Sequence, residues 1–135
     1  MSWDAICELP VASMVLPDAW LFLWITRPHL LATTRMKYDL SGGASAEIDV
    51  PLAWRVAHAW GFPKYSTCFV WTKTDEVCPD DHGNGLVAWD QDELLLLFKR
   101  GSGLPEPDTD IKFGSNHRER PRGHSRKPDF YRHMI

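Results

Sequence analysis

The sequence predicts one α/β layered domain: a mostly parallel sheet flanked by helices. Three observations predict it. The apolar runs Ala19–Thr26, Ser66–Thr72 and Glu93–Phe98 are too short for long helices. Continuous apolar runs of that length suit strands buried on both faces, the usual state of strands in parallel sheets. Helix starts and stops fall between and around these runs, giving the order helix, strand, helix, strand, strand, helix. The length, 135 residues, suits a single domain with a core of modest size.

Each element has a local reason. Trp3 to Glu8 reads as a short helix capped by Ser2, whose hydroxyl can accept from an unpaired N–H of the first turn. Pro10 suits the first turn of a second short helix running to about Leu16, because its ring presets a helical φ. Pro17-Asp18 breaks that pattern and Ala19–Thr26 follows as the first strand, ended by Arg27-Pro28. Leu30 to Val50 yields no firm assignment beyond a flexible turn or insertion at Ser41-Gly42-Gly43-Ala44-Ser45. Pro51 opens a helix through Trp60, with Leu52, Val56 and Ala59 at helical spacing. Gly61 is placed to stop it in a left-handed conformation.

Ser66–Thr72 is rich in strand formers. Lys73 to Asp90 is polar and rich in Asp and Gly, a long loop of the kind that often carries function. Glu93–Phe98 is the third strand, closed by Lys99-Arg100-Gly101. Gly103 to Arg122, with Pro105, Pro107 and many charges, reads as another loop, and Pro128 starts a final helix.

Composition bounds the function. Hydrophobic residues make up 44% and charged residues 24%, as in a folded globular chain rather than a disordered one. Seven Trp are available for core and cleft positions, where the indole N–H needs a partner. Cys7, Cys68 and Cys78 have no framework spacing, which argues for a reducing compartment. No apolar run reaches the roughly 18 residues of a membrane span. The N-terminus lacks the order of a signal peptide, so a cytoplasmic location without membrane attachment is expected. Cys78, His82, His117 and His124 lack the paired spacing of a zinc site, so no metal is expected. No phosphate loop and no Gly-x-Ser-x-Gly elbow is present, which leaves nucleotide hydrolysis and serine-hydrolase chemistry without support.

The net charge of −3 is unevenly placed. Ile111 to Ile135 holds seven Lys or Arg against two acids, +5, so the preceding residues carry −8. A basic tail of this kind faces either solvent or phosphates. Within it, His124-Ser125-Arg126-Lys127-Pro128-Asp129 lies between a loop and a helix start, where exposed N–H groups favour an anion; plain helix capping is the competing reading.

Four segments in order carry a family resemblance. They are Leu21-Phe22-Leu23-Trp24-Ile25-Thr26, then Trp60-Gly61-Phe62 leading to Val70-Trp71-Thr72-Lys73, then Gly83-Asn84-Gly85 through Trp89 to Glu93-Leu94-Leu95, then His124 to Asp129. Together the chain resembles the adenine-N6 methyltransferases, relatives of the catalytic subunit of the mRNA-methylating complex and of phage and bacterial DNA enzymes. The resemblance implies a Rossmann-like domain, S-adenosylmethionine as cofactor, and an adenine in nucleic acid as substrate, DNA more than RNA. It places Lys127 on the cofactor with Ser125 and His124 beside it, and makes Glu93 a family-matching acid that orients neighbouring loops; a surface acid at a strand edge is the equal alternative. The nucleic-acid face then falls to Lys73, Arg118, Arg120, Arg122 and Arg126, the arginines on a mobile basic loop.

The family's Asp-Pro-Pro-Trp, which positions the target amine, is absent, so no catalytic residue is assigned. The resemblance begins just after that loop and ends before the segment that holds the cofactor ribose. Residues 1–135 are therefore expected to be the central part of a methyltransferase domain. Three readings remain open: a fragment or mis-started product that is inactive alone, a non-catalytic module binding nucleic acid or a partner protein, and one half of a split enzyme.

Overall fold

A computed structural model describes residues 2–74, 82, 87–102, 113–123 and 125–135. Two short helices lead the chain, α1 (Trp3–Cys7) and α2 (Val11–Met14). Ser2 caps α1, its hydroxyl accepting from the Ala5 N–H at 3.2 Å. Strand β1 (Ala19–Thr26) follows, then the single-turn helix α3 (Arg27–Leu30). The unassigned stretch is a hairpin, β2 (Thr33–Asp39) and β3 (Ser45–Pro51), turning through Gly42 and Gly43 at φ 88° and 80°. Helix α4 (Leu52–Ala59) leads to β4 (Lys64–Thr72), β5 (Asp92–Arg100), the short β6 (Asn116–Arg118) and α5 (Asp129–Met134).

The sheet order is β1-β5-β4-β6. The three expected strands are therefore neighbours, but not mostly parallel. β5 runs antiparallel to both β1 and β4, and only β4 and β6 pair in parallel. Apolar runs report burial on two faces and carry no information about direction, so the parallel expectation was an inference from burial alone. The result is a mixed α/β fold. β1, β4 and β6 still point one way, so their carboxyl ends and the amino end of β5 share one edge.

Strand alternation feeds two cores, one on each face. On the first, Ile25, Leu96 and Phe98 pack with Ala53 and Ala57 of α4 and with Phe62. On the second, Trp71 and Leu95 pack with Tyr131 of α5, joined by Phe22, Trp24 and Phe69. β5 is the shared floor, and Leu95 is fully buried. The buried stripe of α4 is Leu52, Ala53, Val56 and Ala57; Ala59, expected on that stripe, faces solvent. The helix ends where expected, with Gly61 at φ 85°.

Side-chain bonds fasten the outer elements. The Trp60 indole donates to the Ile6 carbonyl at 2.9 Å, and Arg55 pairs with Asp4 at 2.6 Å, fixing α1 on α4. Asp18 accepts from the amide and hydroxyl of Ser102, both at 2.7 Å, closing the far edge of β1 on β5.

Leu95→Ala opens a cavity in the second core and is expected to cost about 2–5 kcal/mol. Urea unfolding checks this: the midpoint falls while the slope with denaturant stays constant, since the fold is kept.

Candidate functional site

The site lies at the edge where β1, β4 and β6 end. In α/β sheets this edge is where ligands collect, because loops there leave a crevice over the strand ends. Strand register places three residues in a row across the sheet: Thr26 opposite Glu93, and Glu93 opposite Trp71. Glu93 points to the second core face, the side covered by α5. Lys73, one residue past β4, reaches Glu93 Oε1 with Nζ at 3.1 Å. Lys127, just before α5, bonds the other oxygen, Oε2. One carboxylate is thus shared by two ammonium groups that lie 54 positions apart in the chain (127 less 73).

Two tryptophans wall the ion cluster. Lys127 Nζ lies 5.3 Å from the Trp24 ring centre and 5.7 Å from that of Trp71, close enough for attraction to the ring faces. Lys73 Nζ is 6.0 Å from the Trp71 ring. Trp71 is fixed by its indole N–H, which donates to the Glu119 carbonyl at 2.7 Å. Tyr131 sits edge-on to Trp24 at 5.0 Å and donates its hydroxyl to the Val70 carbonyl at 2.7 Å. Burial pushes the Tyr131 phenol up to about 12, so it remains a donor throughout the physiological range.

Glu93 is only 12% exposed. Burial alone pushes its carboxyl up; the hydrogen bonds and charges of Lys127 and Lys73 outweigh that and hold it below the usual value. The cluster keeps one net positive charge, two lysines less one carboxylate. A groove of about 640 Å³ opens beside it, lined among others by Trp24, Ser125, Arg126, Lys127 and Tyr131. Trp24 and Tyr131 are its aromatic walls, and Asp129 and Arg132 add one charge of each sign.

The basic segment divides. Arg118, on β6, is exposed and makes no ion pair among the described residues. Arg120 is exposed too. Arg126 reaches Asp129 at 3.5 Å and is more than half exposed. Arg122 bonds Glu119 at 2.8 Å and Asp129 at 2.9 Å, so its guanidinium is paired with two protein carboxylates although the side chain remains exposed. The hydrogen bond from Arg122, with charge from Arg122, Arg126 and Arg132, holds the Asp129 carboxyl down. Of the two arginines flanking Glu119 and Arg120, Arg118 makes no ion pair among the described residues, whereas Arg122 pairs with two carboxylates. His117 stacks flat on Phe130 at 4.1 Å and bonds Glu119 at 3.0 Å, a pairing no sequence signal announced. His124, Cys78, Gly83 and Gly85 lie outside the described residues. Among the described residues, no group of three or more His, Cys, Asp or Glu is placed to hold a metal, and no helix is long and apolar enough to cross a membrane.

Fold and site together define a mixed α/β protein with a groove at its strand ends beside a cluster of Lys73, Glu93 and Lys127. No protein-family model and no curated protein matches the chain.

Glu93→Gln leaves two lysines without a counter-charge and is expected to destabilise by about 1–3 kcal/mol at neutral pH. The sign with pH follows from the depressed carboxyl. Its stabilisation is full above the ordinary value of 4.5 and is lost as pH falls through the lower folded value. Chemical unfolding of both proteins from pH 7 down through that window is expected to show the difference shrinking.

Proposed function

We propose that this chain provides the cofactor-binding and nucleic-acid-binding surface of adenine-N6 methyl transfer, in a Rossmann-like setting, and does not transfer a methyl group by itself. One observation carries the reading. The four separated segments of the family resemblance meet at one place: Trp24 from the first, Trp71 and Lys73 from the second, Glu93 from the third, Lys127 from the fourth. A ligand site at a strand edge requires residues from separate segments to converge in this way. The shared direction of β1, β4 and β6 supports the finer fold, while the interior β5 runs antiparallel to both its neighbours.

In this reading the carboxylate of S-adenosylmethionine meets Lys127, the ligand body lies along Trp24 and Tyr131, and the exposed Arg118 and Arg120 face phosphates. S-adenosylmethionine supplies the electrophilic methyl group. The chain supplies binding and orientation, and it has no Asp-Pro-Pro-Trp to accept from the target amine. That absence is also the observation favouring a second reading, a binding module that pairs nucleic acid or a partner protein without chemistry.

Titration calorimetry with S-adenosylmethionine tests the proposal. Saturable binding is expected, weakened about tenfold in Lys127→Ala, the cost of one charge-assisted hydrogen bond. No binding, or equal affinity in both proteins, overturns the cofactor role. Binding of an adenine-containing DNA oligonucleotide is expected to weaken steeply with salt, and Arg118→Gln to lower the salt slope by about one. Incubation with labelled S-adenosylmethionine and the oligonucleotide is expected to give no transfer above background.

A further inference from the structure

The Arg122 guanidinium bridges the residue after β6 and the start of α5. Its Nε bonds Glu119 Oε1 at 2.8 Å, and its terminal nitrogen bonds Asp129 Oδ2 at 2.9 Å. Both carboxylates are themselves anchored. The Glu119 amide donates to the Thr72 carbonyl at 3.1 Å, and its own carbonyl accepts from Trp71, so it is fixed to the end of β4. Asp129 opens α5, which is fixed to β4 through Tyr131 and Val70. Between these anchors the chain makes a tight turn: the Arg126 N–H donates to the Gly123 carbonyl at 3.3 Å, and Ser125 sits at φ 62°. A non-glycine residue in that left-handed region is uncommon, and it persists where surrounding contacts impose it. Lys127 emerges directly from this turn onto Glu93.

We propose that Arg122 is the positioning residue of this site: by bridging Glu119 to Asp129 it closes the turn that delivers Lys127 to Glu93 and the groove. It does not contact phosphate. The proposal rests on the methyltransferase reading only for what Lys127 meets in the groove; the bridge itself is independent of any ligand.

The test reads Lys127 directly. An amine-reactive acylating ester is applied to the whole chain, and labelling of Lys127 is quantified by mass spectrometry against Lys99. Lys99 lies against Trp20, remote from the turn. Arg122→Gln is expected to raise the Lys127-to-Lys99 ratio roughly threefold, the scale of a partly exposed charge network. Arg122→Lys is expected to return the ratio toward wild type. Arg122→Gln combined with Asp129→Asn is expected to raise it no further than Arg122→Gln alone, because both substitutions break the same bridge. The oligonucleotide salt slope of Arg122→Gln is expected to match wild type. An unchanged labelling ratio, or equal rises at Lys127 and Lys99, overturns the positioning role. So does a salt slope lowered by about one, which would make Arg122 a phosphate contact. A chain that binds no oligonucleotide contradicts the proposed function, while the labelling ratio still decides the bridge.

Discussion

Glu93 stands at the amino end of the only strand that touches both β1 and β4, and its carboxylate is the sole acid between Lys73 and Lys127 among the described residues. A carboxylate this buried is costly unless it is paired, and a half-paired one is worse than an apolar residue. Its two partners come from the segment after β4 and the segment before α5. Satisfying one charge therefore draws two loops onto the sheet edge, and with them the tryptophan walls and the mouth of the groove. The same pairing leaves one positive charge in excess.

The second face of the sheet explains why that edge is firm. Trp24, Leu95 and Phe69 stand in one cross-strand row, and the next row toward the edge is Thr26, Glu93 and Trp71. The apolar row stops one step short of the edge and the polar row begins. Tyr131 bridges them, its ring against Trp24 and its hydroxyl on Val70. Helix α5 has only six residues, too few to be stable on its own. It holds because Tyr131 is buried and Asp129 is bridged by Arg122.

Much of this was legible in the sequence. β1 falls at the residues read for it, and Pro51 and Gly61 bracket α4 as their backbone preferences require. The convergence of Lys127, Glu93 and Lys73 was only partly legible, because register across β5 decides it and apolar runs do not encode register. Strand direction escaped for the same reason. The hairpin was missed although its signal was present. Thr34, Met36 and Tyr38 alternate with Arg35 and Lys37, and Ala46, Ile48 and Val50 alternate with Glu47 and Asp49. Paired across the turn, these give one apolar face and one charged face, on which Arg35 lies near Glu47 and Asp49. The period of two was the clue, and the Gly-Gly turn its confirmation. The pairing of Arg122 with Glu119 and Asp129 was not legible, because composition counts charge without showing which charges are matched.

Glu93 and Lys127 act as a unit that fixes the loop before α5 to the sheet edge. A double-mutant cycle measures this most directly, with Glu93→Gln, Lys127→Met and the pair compared by urea unfolding at neutral pH and low salt. Coupling of about 1 kcal/mol or more between the two positions is the result the account predicts. Additivity within about 0.3 kcal/mol would contradict it and leave the two side chains as neighbours without a joint role.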